Sequence, residues 1–160
     1  MTGGRNGFGA KLTNIFSKKF TITTADSSAK KKYSQVFKNN LGEICAPKIE
    51  AYSADSYDFT EVVFEADLKR FHMQGGIDKD MESLLIKRVY DLAGVTPASV
   101  GVYLNGKKIT KVKNFQTYVD LYFNKDGQGS GADSGKVFKV YEAVGARWEV
   151  CAALSETGQF

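Results

Sequence analysis

The residues best suited to chemistry form a glycine-rich run near the start of the chain, TGGRNGFGAK at residues 2–11. Its glycines let the backbone approach a ligand closely and adopt positive φ. Leu12, Ile15 and Phe16 follow at helical spacing and predict a short helix whose N-terminus is this run. A helix N-terminus offers unpaired N–H groups and partial positive charge, which suits phosphate. The run therefore predicts an anion site, with Lys11 adding a full charge and a triphosphate as the natural ligand.

The spacing of these glycines leaves two interpretations open. Gly4, Gly7 and Gly9 read G-x-x-G-x-G, which matches neither the Rossmann fingerprint nor the P-loop. On spacing alone, a tight glycine turn that caps a helix is at least as compatible with the pattern as a nucleotide site.

Other chemistry-bearing residues exclude several kinds of site. His72 is the one histidine, so a histidine triad or a histidine-rich metal site is out of reach, and we expect an exposed loop residue. Cys45 and Cys151 lack metal-like spacing and are interpreted as reduced thiols in strands.

A net charge of +4 permits contact with nucleic acid or phosphates without demanding it. No apolar run approaches the roughly 20 residues that a membrane helix needs, so no membrane partner is expected.

The elements that must position the glycine run mix strands and helices without strict alternation, which favours an α+β layered architecture. After the first helix, strands are predicted at 20–24, 31–37, 48–52, 57–64, 100–104, 107–109, 137–144 and 148–154. Helices are predicted from Asp78 to Ala93, stopped by Gly94, and from Phe115 to Tyr122. The end of the 57–64 strand is expected to be buried on both faces. The polar stretch at 124–135 predicts a flexible loop or linker.

The full string at residues 2–17, TGGRNGFGAKLTNIFS, resembles the ATP-lid signature of eukaryotic-type type II DNA topoisomerases. That signature reads T-G-G-R-N-G-Y-G-A-K-L-x-N-I-F-S, so Phe8 replaces the usual tyrosine and removes one hydroxyl. Bacterial gyrase-type relatives carry a histidine-containing loop here, which favours the eukaryotic-type branch. Further blocks resemble the family in its own order: DLKRFHM at 67–73, DKD at 78–80, KRVYDLAG at 87–94, VYLNGK at 102–107, NFQTYVDLY at 114–122 and RWEV at 147–150.

This resemblance implies a partial GHKL-type ATPase fold, a helix layer on a mixed sheet, followed by the first strands of a transducer domain. Residues 1–123 would be the C-terminal part of the ATPase domain, with the ATP lid at 3–17. Residues 124–135 would be the junction, and 136–160 the start of the transducer domain.

The resemblance also implies the function. The family is an ATP-hydrolysing enzyme that binds ATP with Mg²⁺, dimerises its ATPase domains into a gate, and passes one DNA duplex through a transient double-strand break. The family's phosphate-wrapping residues fall, in this chain, on Gly4, Arg5, Asn6, Gly7, Phe8, Gly9, Ala10 and Lys11. Backbone N–H groups would do most of the cradling, with Lys11 and Asn6 as side-chain helpers.

The same resemblance assigns no catalytic residue and no metal ligand to this chain. The family's general-base glutamate and Mg²⁺-holding asparagine precede the lid, and its transducer lysine follows the last residue here. We therefore expect the 160-residue chain alone to be inactive as an ATPase. Duplex DNA and a second copy in a homodimer are the implied partners. The nucleus is the implied location, with a mitochondrial, kinetoplast or viral setting as the alternative.

Two rival interpretations stay open. A free-standing nucleotide-binding module would need its own base and metal ligands, for which Glu43, Glu61 and Glu65 are poor candidates. A non-catalytic DNA- or protein-interaction module would use Lys18, Lys19 and the lysine run at 30–32. Such a run is usually a solvated face, and these lysines lack interleaved aromatic residues.

Overall fold

The computed structural model describes residues 6–53, 55–123, 138–145 and 147–153. The chain divides into two compact units, Met1–Asp78 and Lys79–Phe160. The linker expected at 124–135 lies outside the described residues, so the domain boundary inferred from the sequence stays a prediction. Among the described residues, no helix has both the length and the apolar character needed to cross a bilayer.

The first unit is one helix against an antiparallel sheet. It contains α1 (Phe8–Ile15), β1 (Ser17–Asp26), β2 (Lys31–Lys38), β3 (Glu43–Ile44), β4 (Lys48–Ala51), β5 (Phe59–Ala66) and a 3₁₀ turn (Leu68–Phe71). The strand order is β3-β2-β1-β5, and β4 also pairs with β2. The predicted helix and the four predicted strands of this region are therefore confirmed.

The register of the central strand β1 places one apolar row on one face of the sheet. Phe20 lies opposite Phe37 of β2 and Phe64 of β5. Phe20 is only 4% exposed, and its ring centroid lies 6.1 Å from that of Phe37. Because side chains alternate along a strand, Thr21 and Thr23 lie on the opposite face. Both faces of β1 therefore carry buried residues, Phe20 on one face and Thr23 and Ala25, at 9% and 4% exposure, on the other.

The expectation that the end of β5 is buried on both faces is wrong. Val62, Val63 and Phe64 are 48%, 56% and 54% exposed. The strand closes one end of the sheet, and within the described residues no strand pairs with its outer edge. The continuous apolar run is present in the sequence, but no described element of this unit covers it.

The second unit contains α2 (Lys79–Val95), β6 (Tyr103–Leu104), β7 (Lys107–Lys108), α3 (Phe115–Asp120), β8 (Lys139–Val144) and β9 (Trp148–Ala153). Both predicted hairpins are confirmed. Asn105 and Gly106 turn between β6 and β7 with φ of 50° and 76°, the positive values that an Asn-Gly turn provides. Gly145, at φ 67°, turns between β8 and β9.

The helices of this unit differ in detail from the prediction. Gly94 does not stop α2, because the helix continues to Val95. A Cβ added at Gly94 would lie 2.7 Å from Cγ of Tyr118, so this glycine allows the Tyr118 ring to approach α2. Asn114 caps α3: its Oδ1 accepts a hydrogen bond from the Thr117 N–H at 2.9 Å. The helix ends at Asp120, two residues before the predicted end.

Candidate phosphate-binding site

The N-terminus of α1 is open to an anion. Gly7 is the N-cap residue, with φ 63° and ψ 17° in the left-handed region, and it makes no side-chain cap hydrogen bond. The first turn carries no acidic residue. The first N–H groups of a helix have no partner within the helix itself. Within the part of the chain that the structure describes, the N-cap Gly7 has no side chain to satisfy these donors, and the positive end of the helix dipole at this point favours an anion.

The predicted site residues that the structure describes share this open end. Asn6, Gly7, Phe8, Gly9, Ala10 and Lys11 are all exposed. A Cβ added at Gly7 or Gly9 would meet no atom of the described residues within 4 Å. Gly4 and Arg5 lie outside the described residues. The structure therefore brings six of the eight predicted residues to one accessible helix end, and their contact with a nucleotide stays a prediction.

The C-terminal end of α1 is held firmly, in contrast. Ser17, which is 1% exposed, donates from Oγ to the carbonyl of Thr13 at 2.5 Å. The Asn40 side-chain amide donates to the carbonyl of Ile15 at 3.0 Å. The backbone N–H of Asp67 donates to the carbonyl of Phe16 at 2.8 Å. Carbonyls at a helix end need such partners, and here the loops around the sheet supply them.

Sequence reasoning missed Asn40 and Asp67 as residues that position the candidate site. In the sequence, Asp67 stands out only as part of the DLKRFHM block, and no motif includes Asn40. A signal was present, because consecutive asparagines before a glycine are typical of left-handed turns. Which carbonyl such a turn would reach depends on the fold, so the contact itself was not predictable.

A charged cluster in the second unit joins α2 to α3. The Tyr118 hydroxyl donates to Asp91 Oδ1 at 2.5 Å, and Lys87 Nζ donates to the same oxygen at 2.9 Å. Arg88 Nη1 donates to Asp91 Oδ2 at 3.2 Å. The Tyr118 hydroxyl bond, followed by the Lys87 bond, lowers the pKa of Asp91. Burial, followed by the hydrogen bond to Asp91, raises the pKa of Tyr118. Both carboxylate oxygens of Asp91 accept hydrogen bonds, so we interpret the cluster as a structural contact between α2 and α3.

Two predictions about reactive residues can be compared with the structure. His72 as an exposed loop residue is confirmed, whereas the placement of both cysteines in strands is wrong for Cys45, which follows β3 (Glu43–Ile44), and right for Cys151, which lies in β9. His72 is exposed, at φ 58°, at the end of the 3₁₀ turn. Cys45 and Cys151 are free and partly buried. In the described part of the chain, no group of three or more His, Cys, Asp or Glu side chains could hold a metal ion.

Known proteins match almost the whole chain. DNA topoisomerase 2 of Arabidopsis thaliana is 49% identical over 159 residues, 99% of this chain and 10% of that protein. DNA topoisomerase 2-alpha of Mus musculus is 45% identical over 158 residues, again 99% of this chain and 10% of that protein. The chain thus spans about a tenth of the length of these curated relatives. No protein-family model matches it.

Solved structures agree with the sequence matches. The ATPase region of Saccharomyces cerevisiae topoisomerase II has a TM-score of 0.82 and 40% identity, over 97% of this chain and 38% of that one. The ATPase and transducer domains of DNA topoisomerase II from Balamuthia mandrillaris have a TM-score of 0.82 and 34% identity, over 99% and 37%. The fold class expected from the sequence is confirmed. The chain belongs to the family of eukaryotic type II DNA topoisomerases and corresponds to a part of their ATPase region.

Proposed function

We propose that this chain is the ATP-lid segment of a type II DNA topoisomerase, and that the N-terminus of α1 binds the phosphates of ATP. One observation carries the proposal: α1 begins at a left-handed glycine with an uncapped, acid-free and exposed first turn that includes Lys11. The similarity of the chain to a region named for its ATPase activity in the yeast protein supports a nucleotide as the anion.

The chemistry of the donors fits a polyphosphate. Backbone N–H groups of the first turn would donate to phosphate oxygens, and the left-handed Gly7 would aim the chain toward them. Lys11 would add a full positive charge and Asn6 a side-chain amide. Gly4 and Arg5 enter the proposal through their place in the lid signature. ATP is the proposed nucleotide. Mg²⁺ is proposed to bind with it, and we assign none of the described residues as a ligand of the metal.

The activity of the complete enzyme is also proposed here. The relatives are named DNA topoisomerases, so we infer that the longer protein passes one DNA duplex through another, with ATP binding coupled to dimerisation of two such chains. A nuclear location is proposed on the same grounds. The rival interaction module rests only on lysines such as the exposed Lys18 and Lys19, and the matched relatives do not favour it.

The direct test is Lys11→Ala in the full-length parent enzyme, with affinity for ATP measured by equilibrium binding. A charge-assisted hydrogen bond contributes about 1.5–3 kcal/mol, which corresponds to a loss of roughly tenfold or more in affinity. Lys18→Ala is the matched control, because it removes an exposed lysine from the first unit outside the helix. Unchanged ATP affinity in Lys11→Ala would count against a role for Lys11 in phosphate binding.

A further inference from the structure

The turn between β2 and β3 has an unusual backbone. Asn39, Asn40 and Leu41 are consecutive and all left-handed, with φ of 52°, 57° and 68°. This conformation crowds the Cβ of any L-residue, although asparagine tolerates it better than leucine does. Such backbone persists only where the surrounding structure holds it, and it frequently marks functional positions.

This turn is held against the base of α1. The N–H groups of Asn39 and Asn40 donate to the carbonyls of Lys18 and Ser17 at 2.9 and 3.0 Å. The left-handed turn thereby directs the Asn40 side chain toward the helix end. Its Nδ2 donates to the carbonyl of Ile15, the last residue of α1, at 3.0 Å, and lies 3.3 Å from Oδ2 of Asp67.

Asp67 completes the connection from a different part of the chain. Its N–H donates to the Phe16 carbonyl at 2.8 Å, and its Oδ2 accepts a hydrogen bond from Arg70 Nε at 3.0 Å. The ring centroids of Phe16 and Phe71 lie 5.4 Å apart beside it. The base of α1 is therefore tied to two segments, the β2–β3 turn and the segment after β5, while its other end has no cap.

We propose that Asn40 is a positioning residue for the lid: its amide bridges the last carbonyl of α1 to Asp67 and fixes the base of the helix while the open end engages phosphate. The proposal rests on the phosphate-binding function proposed above. A helix already fixed at one end loses less conformational freedom when a ligand orders the other end, so a fixed base strengthens nucleotide binding. Asn40 touches no nucleotide itself and acts through α1.

The test compares Asn40→Gly with Asn39→Gly in the full-length parent enzyme. Glycine adopts the left-handed conformation freely, so neither substitution strains the backbone, and both keep the backbone N–H that donates to the first residues of β1. Asn39 is the matched control, because its side chain points to Glu43 Oε2 at 3.5 Å and does not contact α1. The two variants differ chiefly in the bridge to Ile15 and Asp67.

The expected result is a split between kinetic constants. Asn40→Gly raises KM for ATP about 3- to 10-fold, the effect of a lost hydrogen bond, and leaves kcat at saturating ATP unchanged, because bound nucleotide itself orders the lid. Asn39→Gly changes neither constant by more than about twofold. In the enzyme without nucleotide, amide hydrogen exchange across α1 is faster in Asn40→Gly than in Asn39→Gly.

A second variant separates loss of the bridge from loss of folding. Asn40→Asp keeps the size and left-handed tolerance of asparagine, but its carboxylate cannot donate to Ile15 and repels Asp67, so KM rises further. Adding Asp67→Asn removes the repulsion and restores a donor between the two side chains but not the donor to Ile15, so KM falls only part of the way back. If Asn40 only supported the fold, KM of the folded Asn40→Asp enzyme would stay at the wild-type value, and the loss would appear in the melting temperature alone.

Lys11→Ala, measured in parallel, distinguishes the two proposals. If Lys11→Ala weakens ATP binding while Asn40→Gly and Asn39→Gly behave alike, the positioning role of Asn40 is overturned and phosphate binding stands. If Lys11→Ala and Asn40→Gly both leave ATP binding intact, the phosphate proposal for this helix end fails, and the role of Asn40 as a lid-positioning residue fails with it.

Discussion

Gly7 and Gly94 are glycines for different physical reasons. Gly7 holds φ 63° at the start of α1, a local requirement that a glycine-rich run announces in the sequence. Gly94 lies within α2, where the missing Cβ makes room for the ring of Tyr118. The first reason was predictable because it concerns one residue and its neighbours. The second depends on a side chain from another helix, so the sequence suggested only a helix stop.

Gly94→Ala is expected to lower the free energy of unfolding by about 1–3 kcal/mol, the usual cost of an overpacked interface. The added Cβ would lie 2.7 Å from the ring atom Cγ of Tyr118, 2.8 Å from its methylene carbon Cβ and 3.1 Å from its ring atom Cδ2, so the Tyr118 side chain must move. Urea unfolding of the parent enzyme or of its ATPase region measures the change. Gly75→Ala is the control, since its Cβ would meet nothing within 4 Å. Equal stability of the two variants would contradict the packing argument.

The contact between α2 and α3 combines the packing of the Tyr118 ring against Gly94 with hydrogen bonds between polar side chains. Asp91 of α2 accepts from Tyr118 of α3, and the Tyr118 and Tyr122 hydroxyls lie 2.7 Å apart. Periodicity predicted both helices, because their apolar spacing is local. Periodicity did not predict that Asp91 joins the two helices. It marked an apolar stripe on α2, yet Leu84, Leu85 and Leu92 of that stripe are about half exposed.

Asp91→Asn should reduce stability at neutral pH and lose its effect in acid. The pKa of Asp91 is lowered by the Tyr118 hydroxyl and then by Lys87, so the ionised form is favoured in the folded state. A lowered pKa contributes stability above the unfolded value, about 3.9, and loses it as pH falls through the folded value. The difference in melting temperature between wild type and variant should therefore shrink below about pH 4.

Asp55→Asn provides the comparison for this pH series, because Asp55 is an exposed carboxylate of the first unit. It should leave the melting temperature close to that of wild type throughout the range. A difference for Asp91→Asn that stays constant down to pH 2.5 would show that ionisation of Asp91 is not the source of its contribution.

At the scale of the whole molecule, both units present large apolar side chains to solvent. Val63 and Phe64 lie on the edge strand β5, and Leu85, Leu92 and Val95 lie on α2. Composition alone indicated a globular sequence and the family blocks indicated its place in a larger protein. Neither showed which faces would be left uncovered, because burial depends on what packs against an element and not on the element itself.

We expect the 160-residue chain alone to associate in solution. An unpaired strand edge beside exposed apolar side chains is a template for pairing between chains. Sedimentation velocity over a concentration series should show species larger than the monomer. Val63→Lys, which places a charge on this edge, should reduce the association. A clean monomer with one sharp cooperative melt would contradict the prediction.

The unequal ends of α1 make it a short lever. Its eight residues measure about 12 Å at a rise of 1.5 Å each. If α1 rotates by about 20° about its C-terminal end, its N-terminal end moves by about 4 Å. Hydrogen bonds tolerate changes of only a few tenths of an ångström, so a movement of that size makes or breaks them. A small rotation at the fulcrum is thus enough to switch the tip between engaged and released.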